Sequence, residues 1–556
     1  MKKLSLVLLC LLLSFALCAC GDNPFEEDLP GSGQPGGEMP LAPTEGIIYE
    51  VFDGTVASVS GYEGTETNVV IANTYKGAKV TEIGPEAFKN CRSITSVTIP
   101  DGVTSIGDYA FYFCTSLESV TIPDSVTEIG INAFYECTSL KSVSIPNGVT
   151  EIKPDTFHRC TSLVSITIPD GVTIIDSGAF HLCASLTGVT IPDSVTMIGA
   201  NAFEGCNSAL YTNDKAGKYV GDANNPYSAL IQITDRSIVT YSVNESVRVI
   251  ASQAFGGCSR LKSVVISDNV TGIGSVAFSG CSSLESVTMG DGLKIIGDMA
   301  FYKCKRLKSI TIPDKVISLG VEAFKYCESL ESVTIGDGLT SIEDMTFFEC
   351  TSLKSVTLGK SVTSIDYAAF GECADLENII LPDSLTGIGD SAFGGCSSLT
   401  SVRIPDGVVD ISLDALGGCR CLSEIAVGVN NTAYKSIDGN LYSKDGKTLI
   451  QYAIGKTDTE FVIPDSVTTI TPGAFSDCTS LTSVTIPDGV TIIGDYAFSG
   501  CTSLTSVTFK NPEGWWRSRS SFDASGDAFS SSDLSDASVA AEYLTETYIY
   551  YNWRRG

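Results

Sequence analysis

This chain of 556 residues has only two histidines, and that scarcity limits its chemistry. A Ser-His-Asp arrangement would need further partners on the same surface as His158 or His181, and no pattern in the chain singles any out. No Gly-x-Ser-x-Gly elbow, His-Glu-x-x-His helix or Walker sequence stands in the context its mechanism requires. The sequence therefore predicts a protein that is not an enzyme, with no catalytic residue, no cofactor and no metal site. Basic residues are short as well. Against 65 Asp and Glu there are 35 Lys and Arg, giving a formal charge of −30. Phosphate recognition needs clustered cations, so nucleic acid is excluded as an expected partner.

The N-terminus is different in character. Residues 1–19 carry Lys2 and Lys3, an apolar run from Leu4, and the ending Leu17-Cys18-Ala19 before Cys20. This is a basic n-region, an h-region and a small-residue cleavage site, too short to span a bilayer comfortably. The Leu-Cys-Ala-Cys ending resembles a bacterial lipobox, which implies lipid on Cys20 and a membrane anchor there. From 20 to 45 the chain is rich in Gly, Pro and acid, a composition that cannot bury a core and predicts a flexible tether.

Twenty cysteines are present, and sixteen fall on a ruler. Cys91, Cys114, Cys137, Cys160, Cys183 and Cys206 are 23 apart; the step returns from Cys258 to Cys419, and again between Cys478 and Cys501. The two gaps each leave room for one coil and an insertion. A fixed period in the 20s signals a solenoid.

One repeat, Leu117 to Cys137, shows why. Val120 and Ile122 alternate with Ser119 and Thr121, so a short strand turns its β-branched pair to one side. Pro123-Asp124-Ser125 breaks the strand. Val126 and Ile129 lead through Gly130 to Ala133, Phe134, Cys137 and Leu140, whose spacing fits a helical or 3₁₀ turn. Such a coil has no second layer and must be stabilised by stacking on its copies.

The pattern Cys-x-x-Leu-x-x-Val-x-Ile-Pro-x-x-Val-x-x-Ile-Gly-x-x-Ala-Phe resembles the BspA-type leucine-rich repeats of bacterial surface proteins. The resemblance runs from about Ile83 to Phe509. It implies a leucine-rich-repeat solenoid of 23-residue coils, with a parallel β-sheet face, short helical or 3₁₀ turns and two hairpin-like insertions, displayed at the cell surface. Its usual role is adhesion or host-ligand binding. The expected organisation is a signal peptide at 1–19, lipidated Cys20 and tether at 20–45, an N-terminal cap at 46–82, the solenoid at 83–509 with insertions near 207–242 and 422–460, and a C-terminal cap at 510–556.

Three columns invite chemical readings. The cysteines share a helical phase with Ala, Phe and Leu and are expected inside as free thiols, with disulfides and metal ligation as lesser alternatives; Cys421 is off the ruler. A turn Asp recurs from Asp101 to Asp488 and is read as turn chemistry, although stacked carboxylates leave calcium sensitivity open. Lys262, Glu285, Lys308, Glu331, Lys354 and Glu377 alternate in sign, which reads as register control. The candidate binding patch is Tyr112, Tyr135, His158 and His181, which occupy one column in four adjacent coils. The expected function is adhesin-like recognition of a macromolecule, a protein of the host matrix or of another cell surface. The alternatives are an envelope scaffold that binds another bacterial component, and a glycan-binding module.

Overall fold

The computed structural model describes residues 43–519 and 526–556. The expected signal peptide, Cys20 and most of the expected tether lie outside them. The described chain is a solenoid in which each coil contributes two short strands to two parallel ladders. In the first ladder Ser96–Thr98 pairs with Ser119–Thr121. In the second, Ser105–Ile106 pairs with Glu128–Ile129. Every such pairing in the regular coils joins residues 23 apart, as in Ile310 with Val333 and Ile365 with Ile388. The first ladder is the predicted sheet face, with Val120 inside and Ser119 and Thr121 outside. The second ladder is an addition: Ile129 sits on extended backbone, with Val126 buried just before it.

The Ala-Phe-Cys segment closes the coil through overlapping turns. Ala133, Tyr135 and Cys137 donate their N–H to the carbonyls of Gly130, Asn132 and Phe134, the i+3 to i bonds of a chain of β-turns. The residues between them do otherwise. Asn132, Phe134 and Glu136 donate to Pro154, Thr156 and His158 on the next coil. A continuous helix is prevented because Asn132 and Glu136 have φ of +57° and +54°, the third position of a type II turn. The same two positions recur in coil after coil, and Tyr109, Val276 and Met299 adopt positive φ there without being glycine. Half of the turn's donors thus hold the coil closed while the other half hold it to its neighbour.

Side chains stack in register with the backbone. Phe88, Phe111, Phe134, Phe157, Phe180 and Phe203 form one column of rings, with centroids 5.1 to 5.5 Å apart. Phe255 through Phe393 form a second, and Tyr452, Phe475 and Phe498 a third. The cysteine column lies alongside. All described cysteines are free thiols, and those on the ruler are buried except for the half-buried Cys91 and Cys206. Cys114 Sγ donates to the carbonyl of Phe88 at 3.0 Å, and thirteen of the column repeat this bond to a phenylalanine (at Cys114 to Cys206, Cys281 to Cys419, and Cys501). The three exceptions, Cys91, Cys258 and Cys478, each open a run. Burial raises these thiols, to about 12 at Cys206, Cys281 and Cys327. A thiol kept from ionising is a poor nucleophile.

In part of the aspartate column the carboxylates bond across coils: Asp314, Asp337 and Asp406 accept from backbone N–H groups of the next coil. Asp314 Oδ1 accepts from the N–H of Asp337, and Asp337 Oδ1 from that of Lys360 at 2.8 Å. The latter bond is the main reason the Asp337 carboxyl is held below its ordinary value. The alternating column is looser: Lys262 meets Glu285 at 3.7 Å and Glu331 meets Lys354 at 3.9 Å, between exposed side chains. Such pairs contribute about 0 to 1 kcal/mol. Register is fixed by the backbone bonds and the ring stack.

Both interruptions add antiparallel strands. Tyr211–Asn213, Gly217–Val220 and Ala229–Ile233 form the first, and Ala229 and Leu230 rejoin the second ladder opposite Val249 and Ile250. Tyr434–Ile437, Asn440–Ser443 and Thr448–Gln451 form the second. The inner strands Gly217–Val220, Ala229–Ile233 and Asn440–Ser443 are largely buried. Val220, Ala229 and Val249 face the core that begins at Ala57, while Tyr219, Leu230 and Ile250 face the core that runs on to Ala453. At the second interruption Leu441 and Tyr442 divide in the same way. Each is a partition between two cores. At the entry end, Ile47–Phe52 and Val56–Tyr62 form a hairpin, and Val56 to Val59 pairs with the second ladder. At the exit, Asn552–Arg555 pairs antiparallel with Ile492–Ile493, and Trp515 and Trp553 are buried beside Phe509. The helix Ala537–Glu542 is capped by Asp536, whose carboxylate accepts from Ser538 N–H.

Two outcomes follow. Phe301→Ala removes a fully buried ring from the middle of its stack and is expected to cost about 3 to 5 kcal/mol in urea unfolding. Thr311→Ala on the outer sheet face should stay within about 0.5 kcal/mol. In native thiol labelling, Cys421, the exposed cysteine, should react fast, with Cys91 and Cys206 slow. The rest should label only in denaturant, and rapid native labelling of Cys304 or Cys350 would contradict the buried thiol ladder.

Candidate functional site

Four coils bring the predicted residues together. The side chain after the buried phenylalanine leaves the turn on the outside of the coil, so the 23-residue step sets these side chains one above another. Tyr112 and Tyr135 stack with centroids 4.9 Å apart, Tyr135 and His158 at 4.4 Å, and His158 meets His181 edge-on at 4.7 Å. All four are half-buried. Because the rings cover one another's faces, edges are what reach solvent. The hydroxyls of Tyr112 and Tyr135 have no hydrogen-bond partner among the described residues. The strip is thus a row of polar ring edges on a rigid aromatic stack, suited to hydrogen bonding along a protein surface more than to stacking on sugar faces.

Its electrostatics are local. His158 Nδ1 lies 2.8 Å from Asp155 Oδ1, and Arg159 pairs with Glu136 at 2.7 Å. Burial lowers the His181 pKa, with His158 adding to the effect. Burial also raises that of Tyr135, followed by the neighbouring Tyr112.

Sequence reasoning missed part of the strip. Tyr109 packs edge-on against Tyr112 at 5.4 Å, Phe113 lies 4.7 Å from Tyr112, and Lys89 sits over the rings of Tyr109 and Tyr112. Tyr109 and Phe113 occupy the two positive-φ positions of their coil, which turn them outward beside the column. A second cluster was missed entirely. Lys303 lies over Tyr302 and Tyr326, and Lys325 over Tyr326 and Phe348. Lys325 stands in the same column as His158 and alone suggests only that the position tolerates any residue.

Beyond His181 the column continues with Glu204, and there the surface opens into a cleft of about 510 Å³. It lies at the first interruption and is bounded by Glu204, Tyr211, Lys218, Gln232, Arg236 and Gln253. No run of the sequence marks it, because its walls come from both sides of the break.

The repeat can now be placed among known proteins. The pattern of the BspA type leucine rich repeat region, six copies, matches residues 81–209, 234–344, 317–445 and 453–541, well over half of the chain. The chain belongs to the BspA-type leucine-rich-repeat family. Among solved structures, a leucine rich cell surface protein from Faecalibacterium prausnitzii is 34% identical, with 58% of this chain and 95% of that one covered and a TM-score of 0.29. A leucine-rich repeat protein from Bacteroides ovatus is 27% identical, covering 84% of this chain and 94% of its own, with a TM-score of 0.29. No curated protein matches the chain. Proteins of this BspA-type family are characteristically surface and binding proteins, and their repeats generally mediate protein–protein interaction.

The histidine pair gives a pH test. A histidine whose folded pKa is depressed binds fewer protons when folded than when unfolded, so its contribution to stability is present above about 6.5 and is lost as pH falls through the folded value. The melting temperature should drop more between pH 7 and pH 5 in the native chain than in His181→Gln. Equal drops would show that His181 does not titrate as its surroundings demand.

Proposed function

We propose that this protein is a non-enzymatic, adhesin-like surface protein that recognises another protein through its preformed solenoid surface. Lipid on Cys20 would anchor it to the bacterial envelope, and the acidic, Gly- and Pro-rich segment up to Glu45 would hold the solenoid away from the membrane. Among the described residues no helix is long and apolar enough to cross a membrane. The partner would be a protein of the host matrix or of another cell surface.

The observation that carries this reading is the strip of Tyr112, Tyr135, His158 and His181, flanked by Tyr109 and Phe113. Tyrosine is enriched at binding hot spots because a large, stiff ring loses little freedom on contact while its hydroxyl still forms a hydrogen bond. Here the rings are ordered before any partner arrives, which lowers the entropic cost of association. The outward Ser and Thr of the first ladder offer no comparable anchor.

The test joins localisation to binding. Protease treatment of intact cells should release solenoid fragments, which a scaffold enclosed within the envelope would not yield. Beads coated with the purified chain should adhere to host cells or matrix proteins. The combined variant Tyr112→Ser, Tyr135→Ser, His158→Ser and His181→Ser should bind at least tenfold more weakly, with its far-ultraviolet circular dichroism retained. Unchanged binding by the folded variant would remove the strip from the function.

A further inference from the structure

We infer that the cleft at the first interruption is a binding site for a carboxylated saccharide, separate from the protein-binding strip. It exists because the turn ladder is broken there. Phe180 N–H donates to Ala202 and Leu182 N–H to Glu204, but among the described residues Asn201, Phe203 and Gly205 donate no backbone bond onward to the next coil. The bonding resumes only with Ile233, which donates to Ala254. The hydroxyl of Tyr211 caps the Phe203 carbonyl left open by the break. On the far wall the column carries Gly256, so no side chain fills the gap.

The charges there run against the composition of the chain. Lys218 and Arg236 both bound the cleft, and neither has a carboxylate within salt-bridge distance among the described residues. The Lys218 ammonium is 3.6 Å from the centroid of the Tyr211 ring, which holds it in place without neutralising it. Acidic residues outnumber basic ones nearly twofold in this protein, and most cations near the strip are already paired. Two unpaired cations on one concavity offer an anion a point charge and a planar fork, the latter suited to a carboxylate.

The remaining walls select among anions. Asn201, Gln232 and Gln253 each present both a donor and an acceptor, and Glu204 adds a strong acceptor. Alternating donors and acceptors match the vicinal hydroxyls of a sugar. Apolar lining is limited to Ile231 and Val276 beside Tyr211, too little to seat an apolar side chain, and a single carboxylate does not hold a divalent cation. The volume of about 510 Å³ falls within the range of about 300 to 1,000 Å³ of small-ligand sites.

Calorimetric titration of the purified chain at low salt tests the assignment with trigalacturonic acid and 3′-sialyllactose, against maltotriose and lactose as neutral counterparts and the tripeptide Asp-Asp-Asp. At least one carboxylated sugar should bind, at least tenfold more tightly than its neutral counterpart and than the peptide, and rising salt should weaken it. Arg236→Gln, at an exposed side chain, and the double variant Arg236→Gln with Lys218→Met should each lower affinity, the double at least tenfold, with the melting temperature unchanged. Tyr112→Ser should leave it intact, which separates this site from the strip. Absence of binding by both acidic sugars, equal binding of Asp-Asp-Asp, or affinity unaltered in Arg236→Gln would overturn the proposal.

Discussion

A coil of 23 residues cannot bury its own interior, and everything else in this protein depends on that. Each apolar group needs its counterpart one coil away, so the molecule is held together along its axis by contacts between like and like. Parallel rings at about the spacing of paired strands bury their faces on one another. The thiols hydrogen-bond across coils for the same reason: the turn that ends at each cysteine leaves a phenylalanine carbonyl pointing at the next coil, and a small, weakly polar group inside the stack can reach it. At the surface the carboxylates of Asp314, Asp337 and Asp406 in their strand-end turns work the same way. Registry is therefore set many times over, by backbone, ring, thiol and carboxylate, and the exposed ion pairs add little to it.

Much of this could be read from the sequence, because periodicity in sequence is adjacency in space once coils stack. The inward places of Val120, Ile122, Phe134 and Cys137 follow from their spacing alone, as does the neighbouring of Tyr112, Tyr135, His158 and His181. What the sequence did not carry was direction. Spacings of one and four around Ala133 suit a helical turn and equally suit a string of β-turns, and the positive φ that distinguishes them is borne by Asn132, Met299 or Val276 as readily as by glycine. The turn aspartates read as serving their own turns because local hydrogen bonds can be inferred from one segment, whereas the partners of Asp314, Asp337 and Asp406 belong to another coil. Tyr109 and Phe113 were overlooked because their positions in other coils hold residues of every kind. The cleft was beyond reach, since it is defined by hydrogen bonds that are missing between Phe203 and Ile233.

Recognition and stability are thereby assigned to different parts of the same repeat. The interior columns admit almost no variation, and the position after the phenylalanine admits tyrosine, histidine, glutamate, glycine, serine and lysine. A solenoid can alter its surface one coil at a time without disturbing its core, because that side chain leaves the turn on the outside, where only its neighbours in the same column have to accommodate it. Interruptions go further, replacing a line of side chains by a concavity whose walls are free to differ from any repeat.

The two partitions have a mechanical meaning. Val220, Ala229 and Val249 belong to one core and Tyr219, Leu230 and Ile250 to the next, so a single thin sheet transmits force between segments that share no other interior. Melting of one segment strips one face of the partition and leaves the other packed. Loss of one segment thus need not carry into the next, because the partition goes on covering the core that survives.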